Sequence, residues 1–164
     1  MFEFDALAIE RAADVEQAAL RRLGVAAGDS IGWLALNQPR ALALLRACER
    51  LGLRYVPLNW RLTAAELAAI ARHAGLQHLL HDEAMAALAA QVRALVELPQ
   101  PQAPGHAAGD VMLVYTSGST GEPKGAIHTA AAMRANIAAA IDAQGLDAAL
   151  VRAHGHFLAA QIAP

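Results

Sequence analysis

Cysteine is nearly absent from this 164-residue chain, where Cys48 stands alone. One thiol cannot close an internal disulfide or build a multi-cysteine metal site, and it fits a reducing compartment, so the cytoplasm is the expected location. An excess of one charge is lacking as well. The 13 Lys plus Arg against 15 Asp plus Glu leave a formal charge of −2, which provides no broad field for nucleic acid or an anionic membrane. Long apolar runs are missing despite a hydrophobic content of 56%. Arg46, Arg72 and Arg134 interrupt the Ala-rich stretches before they reach the roughly 18 uncharged residues of a membrane span. The opening MFEFDALAIERAADVE places Glu3, Asp5 and Glu10 where an export signal needs a basic start and an apolar run, so no leader is expected. No self-similarity at a solenoid period is visible.

What is present alternates between two periodicities. Residues 5–23 set Ala12, Val15, Ala19 and Leu23 at helical spacing, leave Glu16, Arg21 and Arg22 for water, and meet a stop at Gly24. After Asp29, Ile31 to Leu36 reads as a buried strand. Asn37 and Pro39 then open a helix with Ala41, Leu44, Cys48 and Leu51 inward, ended by Gly52. Leu53 to Leu58 is a second strand. Thr63 with Glu66 forms a capping-box pattern ahead of the stripe Leu67, Ile70, Ala71 and Ala74, and Gly75 stops that helix. Leu76 to Leu80 reads as a third strand, and after Asp82 a helix buries Met85, Leu88, Val92 and Leu95. Such alternation of short apolar strands with amphipathic helices predicts an α/β fold, a layered, mostly parallel sheet flanked by helices. Residues 98–109, LPQPQAPGHAAG, have no periodicity and read as an internal linker. Beyond it come a strand at Val111 to Tyr115, a loop from Thr116 to Gly125, a brief extended segment at Ala126 to His128, and a helix from Ala130 to about Asp142 with Met133, Ile137 and Ile141 inward.

The loop YTSGSTGEPKG carries the chemistry. It follows directly on a strand, where backbone N–H groups are free to face an anion. Gly118, Gly121 and Gly125 permit close backbone approach, Thr116, Ser117, Ser119 and Thr120 add hydroxyl donors, and Lys124 supplies a compact positive charge. Pro123 stiffens the approach to that lysine. A plain surface turn needs only about two to five residues and no such run of small and hydroxyl-bearing positions, so the segment reads as a phosphate-binding loop. It is not the Walker pattern: two residues separate Gly118 from Gly121, and Lys124 comes three after.

This string resembles the signature loop of the adenylate-forming, or AMP-binding, superfamily, which includes acyl-CoA synthetases, peptide-synthetase adenylation domains and luciferases. RRLGVAAGDSIGWLALNQP, ACERLGLRYVPLNWRLTAAEL and LLHDE are similar to that family in order and spacing, so the resemblance runs from about Arg21 to Leu146. PLNWRLT looks most like the acyl-CoA synthetases. The resemblance implies an incomplete version of the large N-terminal domain of those enzymes. It also implies their reaction: a carboxylic, here fatty, acid attacks the α-phosphate of ATP held with Mg²⁺, pyrophosphate leaves, and the acyl-adenylate is passed to coenzyme A. On matching positions, Thr116, Ser117, Gly118, Ser119, Thr120, Gly121 and Lys124 would hold the β- and γ-phosphates. Asn59 and Arg61 lie in a recurrent family segment and are assigned to structure before catalysis.

The departures matter as much. The family's aromatic-Gly-x-Thr-Glu segment, ribose-binding Asp, hinge Arg and catalytic Lys domain have no counterpart before Pro164, and residues 147–164 no longer follow the family. The expectation is therefore a partial AMP-binding domain over residues 1–164, inactive alone, with an aberrant tail and no catalytic or metal residue of its own. Two rivals remain: a non-catalytic fragment that associates with a longer synthetase, and a piece of a peptide-synthetase adenylation domain. His78, His81 and Asp82 lack zinc spacing and read as ordinary side chains, as do His154 and His156. His128 is either a strand histidine or a neighbour of the substrate region. Trp33 and Trp60 read as packing residues and Cys48 as a small buried hydrophobe. A shifted reading frame or an early stop is the expected origin of the tail, and sequencing the encoding DNA tests it: family motifs should lie downstream, and their absence from every frame would refute it.

Overall fold

The computed structural model describes residues 6–103, 107, 109–116 and 123–144. Helix α1 (Ala6–Arg22) leads into strand β1 (Ser30–Leu34), helix α2 (Arg40–Leu51), strand β2 (Arg54–Leu58), helix α3 (Ala64–Ala74) and strand β3 (Leu76–His81). A single 3-10 turn at Glu83–Met85 introduces helix α4 (Ala86–Leu95), followed by strands β4 (Asp110–Thr116) and β5 (Lys124–Thr129) and helix α5 (Ala130–Gln144). The strands form one sheet in the order β3-β1-β2-β4-β5. Its first four members are parallel, whereas β4 and β5 pair antiparallel.

Alternation of side chains along the strands explains the layers. Ile31, Trp33 and Tyr55 point to one face, where Leu20 of α1 and Leu44, Ala47 and Cys48 of α2 complete a core. Leu34, Val56, Leu58 and Leu113 point to the other, against Leu67, Ala68, Ile70, Ala71 and Ala74 of α3 and Ala89 and Val92 of α4. Helices on both faces are what lets the central strands be continuously apolar.

The capping box is present: Thr63 Oγ1 accepts from Glu66 N at 3.3 Å, and the Glu66 carboxylate accepts from Thr63 N at 2.8 Å. That bonding holds the Glu66 carboxyl below its ordinary value. Gly52 and Gly75, expected as stops, take left-handed conformations at the C-caps of α2 and α3. Residues 98–103 run back along the sheet, with Gln100 N donating to Leu76 O at 2.7 Å and Gln102 Nε2 to Asp29 Oδ1 at 2.9 Å. They cross Gly75 so closely that a Cβ there would lie 2.5 Å from Pro101 O and nearer still to Ala103 N.

Three inward faces differ from the expectation. In α1 the buried residues are Ala13, Glu16 and Leu20, while Val15 is 66% and Leu23 48% exposed. Glu16 is drawn in because its carboxylate accepts from Arg40 Nε at 2.6 Å and Nη2 at 3.2 Å, and that guanidinium lies 5.0 Å from the centroid of the buried Trp33 ring. In α4, Leu95 is 52% exposed, since Val92 and Ala89 face the sheet. In α5, Met133 packs on the core but Ile137 is exposed, and the helix is tied to α2 by Arg134–Glu49 at 2.8 Å. The Ile141 side chain and residues 147–164 lie outside the described residues.

Gly75→Ala is expected to lose more than about 2 kcal/mol, a left-handed backbone and a clash together. Gly24→Ala, at φ +77° with nothing within 4 Å of its Cβ, isolates the conformational part, about 1 kcal/mol. Urea unfolding of both variants measures the difference, and equal losses would contradict the close crossing.

Candidate functional site

The glycine- and hydroxyl-rich segment joins β4 to β5. Cα partners run Leu113↔Ile127, Val114↔Ala126, Tyr115↔Gly125 and Thr116↔Lys124, so the loop is the tip of a hairpin. The sequence reading gave a strand, a loop and a brief extended segment without pairing them; their antiparallel pairing closes one edge of the mostly parallel sheet. Because β4 runs parallel to β2, the loop emerges at the carboxyl ends of the parallel strands, the end at which open α/β sheets place their ligands.

Thr116 and Lys124 stand at the mouth of the hairpin, and both are exposed. Ser117, Gly118, Ser119, Thr120 and Gly121 lie outside the described residues. Among the described residues Lys124 has no acidic partner. Below the mouth the hairpin is tightly built. A Cβ on Gly125 would lie 2.7 Å from Leu113 Cδ1 and 3.2 Å from Tyr115 Cζ, so the cross-strand tyrosine covers the glycine. Tyr115 Oη meets His73 Nδ1 of α3 at 2.7 Å, and the two rings are edge-to-face at 5.6 Å between centroids. Burial pushes the Tyr115 phenol up to about 12. No sequence signal marked His73: its partner is distant along the chain, and only the packing of α3 against the sheet joins them.

The remaining candidates resolve into structural roles. Asp82 Oδ1 accepts from Met85 N at 2.9 Å, and Oδ2 accepts from Leu36 N and Gln38 Nε2, each at 3.1 Å. His81 donates from Nδ1 to Asp82 O at 2.8 Å. Among the described residues no group of three His, Cys, Asp or Glu side chains could hold a metal ion. His78 lies on the edge strand β3 and His128 on β5 opposite Met112. Asn59 Oδ1 accepts from Arg61 N at 3.0 Å, closing an Asx turn, and the Arg61 guanidinium lies 5.0 Å from the Trp60 ring centroid. Trp33 is core and Trp60 a turn residue, 41% exposed. Cys48 is fully buried, and burial pushes its thiol up to about 12. Among the described residues, no helix is long and apolar enough to cross a membrane.

The chain belongs to the AMP-binding enzyme family, whose model matches residues 10–159. It is 39% identical over 123 residues to a feruloyl-CoA synthase of an Amycolatopsis species, covering 67% of this chain and 25% of the relative. An indoleacetate–CoA ligase of Aromatoleum aromaticum is 33% identical over 162 residues, covering 79% of this chain and 31% of the relative. The chain thus spans about a quarter to a third of the length of these curated relatives. Among solved structures, the amide bond synthetase McbA from Marinactinospora thermotolerans superposes with a TM-score of 0.72 at 26% identity, over 81% of this chain and 31% of that one. The five-stranded sheet with its flanking helices is part of the N-terminal domain of adenylate-forming enzymes.

Cys48 gives a test of the core around β1 and α2. With its thiol raised from 9.0 to about 12 in the folded chain, the unfolded chain ionises first as pH rises. The stabilisation is complete below pH 9 and is lost progressively toward pH 12, with a slope of up to about 1.4 kcal/mol per pH unit. Urea midpoints across that range should fall, and iodoacetamide at mildly alkaline pH should label Cys48 only once the chain is unfolded. Rapid native labelling would contradict its burial.

Proposed function

We propose that the loop from Thr116 to Lys124 holds the polyphosphate of Mg-ATP, and that the chain serves an AMP-forming acid–thiol ligase that activates a carboxylic acid. The observation that supports the reading is that Thr116 and Lys124, the two ends of the glycine- and hydroxyl-rich sequence, pair at the carboxyl end of β4, where Lys124 has no acidic partner among the described residues. Thr116, Ser117, Ser119 and Thr120 donate hydroxyl hydrogens to phosphate oxygens. Gly118 and Gly121 bring backbone N–H groups close, and Lys124 neutralises charge. Mg²⁺ enters as the Mg-ATP complex, and no residue of this chain is assigned to it.

In this reading an oxygen of the substrate carboxylate attacks the α-phosphorus and the bond to the bridging oxygen of pyrophosphate breaks. The acyl-adenylate is then attacked at its carbonyl carbon by the thiol of coenzyme A, releasing AMP. The loop's part lies in the first step, where negative charge accumulates on the departing pyrophosphate and fixed donors stabilise it without reorganising. A fatty or aryl acid fits the relatives' names, and the reaction belongs to the cytoplasm, where the lone thiol stays reduced. The groups for complete adenylation come from elsewhere in the full enzyme or from a longer synthetase on which this chain packs.

Thermal unfolding of the chain with and without Mg-ATP tests the site. At a hundredfold excess over the dissociation constant the ligand should add about 2.7 kcal/mol, and Lys124→Ala should remove most of that gain without lowering stability in its absence. A transition indifferent to Mg-ATP would overturn the reading.

A further inference from the structure

We propose that His73 of α3 is a positioning residue for the loop between β4 and β5, holding the Tyr115 ring over Gly125 and so fixing the directions in which Thr116 and Lys124 leave the sheet. The inference rests on the reading of this loop as a polyphosphate site. Tyr115 directly precedes Thr116, Gly125 directly follows Lys124, and the two are cross-strand partners. The tyrosine ring and Leu113 occupy the space a Cβ on Gly125 would take, so the last rung below the mouth is ordered by that ring. The ring is half-buried and its position is fixed from outside the hairpin by the 2.7 Å bond between Tyr115 Oη and His73 Nδ1.

The far end of this clamp, the exposed His73, is carried by a helix packed into the core. His73 sits in the last turn of α3, a helix anchored by Leu67, Ile70, Ala71 and Ala74 in the core. Two residues on, Gly75 is crossed by residues 101–103. The phenol is protonated throughout the neutral range, so its hydroxyl is able either to donate to Nδ1 or to accept from it. An edge-to-face contact at 88° between the ring planes adds orientation to the bond. The clamp thus refers the outer hairpin to a helix seated in the core.

The test uses the full chain with His73→Ala, His73→Asn, Tyr115→Phe and the double variant His73→Ala/Tyr115→Phe. Asparagine can present an amide atom near the position of Nδ1 and serves as the conservative rescue. Amide hydrogen exchange without ligand should accelerate about fivefold at Tyr115, Thr116, Lys124 and Gly125 in His73→Ala and Tyr115→Phe, with β1 and β2 unchanged. The dissociation constant for Mg-ATP should rise about fivefold in each, no further in the double variant, and return toward wild type in His73→Asn. Unchanged hairpin exchange, or a uniform acceleration across the sheet that marks global destabilisation, would overturn the positioning role while leaving the phosphate reading intact. A wild-type chain indifferent to Mg-ATP would overturn both, and is told apart because it needs no variant.

Discussion

The parallel ladder between β1 and β2, running from Ser30↔Arg54 to Leu34↔Leu58, is the constraint on which the other elements depend. Both strands are buried on both faces, so each residue along them must satisfy one of two opposed helix layers. Gly32 shows how little room is left, since a Cβ there would lie 2.7 Å from Leu76 Cδ1 of the neighbouring strand. At the amino end of the ladder the buried Arg54 donates from Nε to Ser30 Oγ at 3.2 Å, while its Nη2 has no partner among the described residues. Burial lowers the pKa of that guanidinium, and the charge of buried Asp110 opposes the shift. The polar cost is tolerated at the end remote from the loop. The carboxyl end carries the turns and the hairpin tip.

Much of this architecture was legible because it depends on local chemistry. The stripe of α3, its Thr63–Glu66 cap and the glycines that end α2 and α3 are set by neighbours within a turn, and each stands where its residues placed it. The face of α1 was misread for a definite reason. Charge assigned Glu16 to water, but Arg40, from the following helix, neutralises it against Trp33 and turns the helix so that Val15 faces out. The antiparallel pairing of β4 with β5 was likewise hidden, since the pattern of a strand reads the same in either direction. His73 was invisible in the sequence because its meaning lies wholly in the tertiary contact with Tyr115.

The site divides into a part written in the sequence and a part that only the fold supplies. Hydroxyls, glycines and Lys124 carry the proposed anion site, in a chain whose family match covers residues 10–159. What the motif does not contain is its own foundation. Leu113, Tyr115 and Gly125 form that foundation by filling one another's space, and α3 lends it a fixed point. A loop proposed to cradle polyphosphate needs such support because the benefit of preorganised donors vanishes when they are free to drift.

The hairpin also has a consequence for how the molecule assembles. Parallel strands find each other only after a crossover has folded, and Tyr55 reaches Met112 across more than half of the sheet-forming chain. The β4–β5 pair closes over a single short loop, a contact of low sequence separation that can form in microseconds. The β4–β5 pairing is thus the contact of short separation, whereas those of β4 with β2 and of Tyr115 with His73 close far longer stretches of chain and are expected to form more slowly.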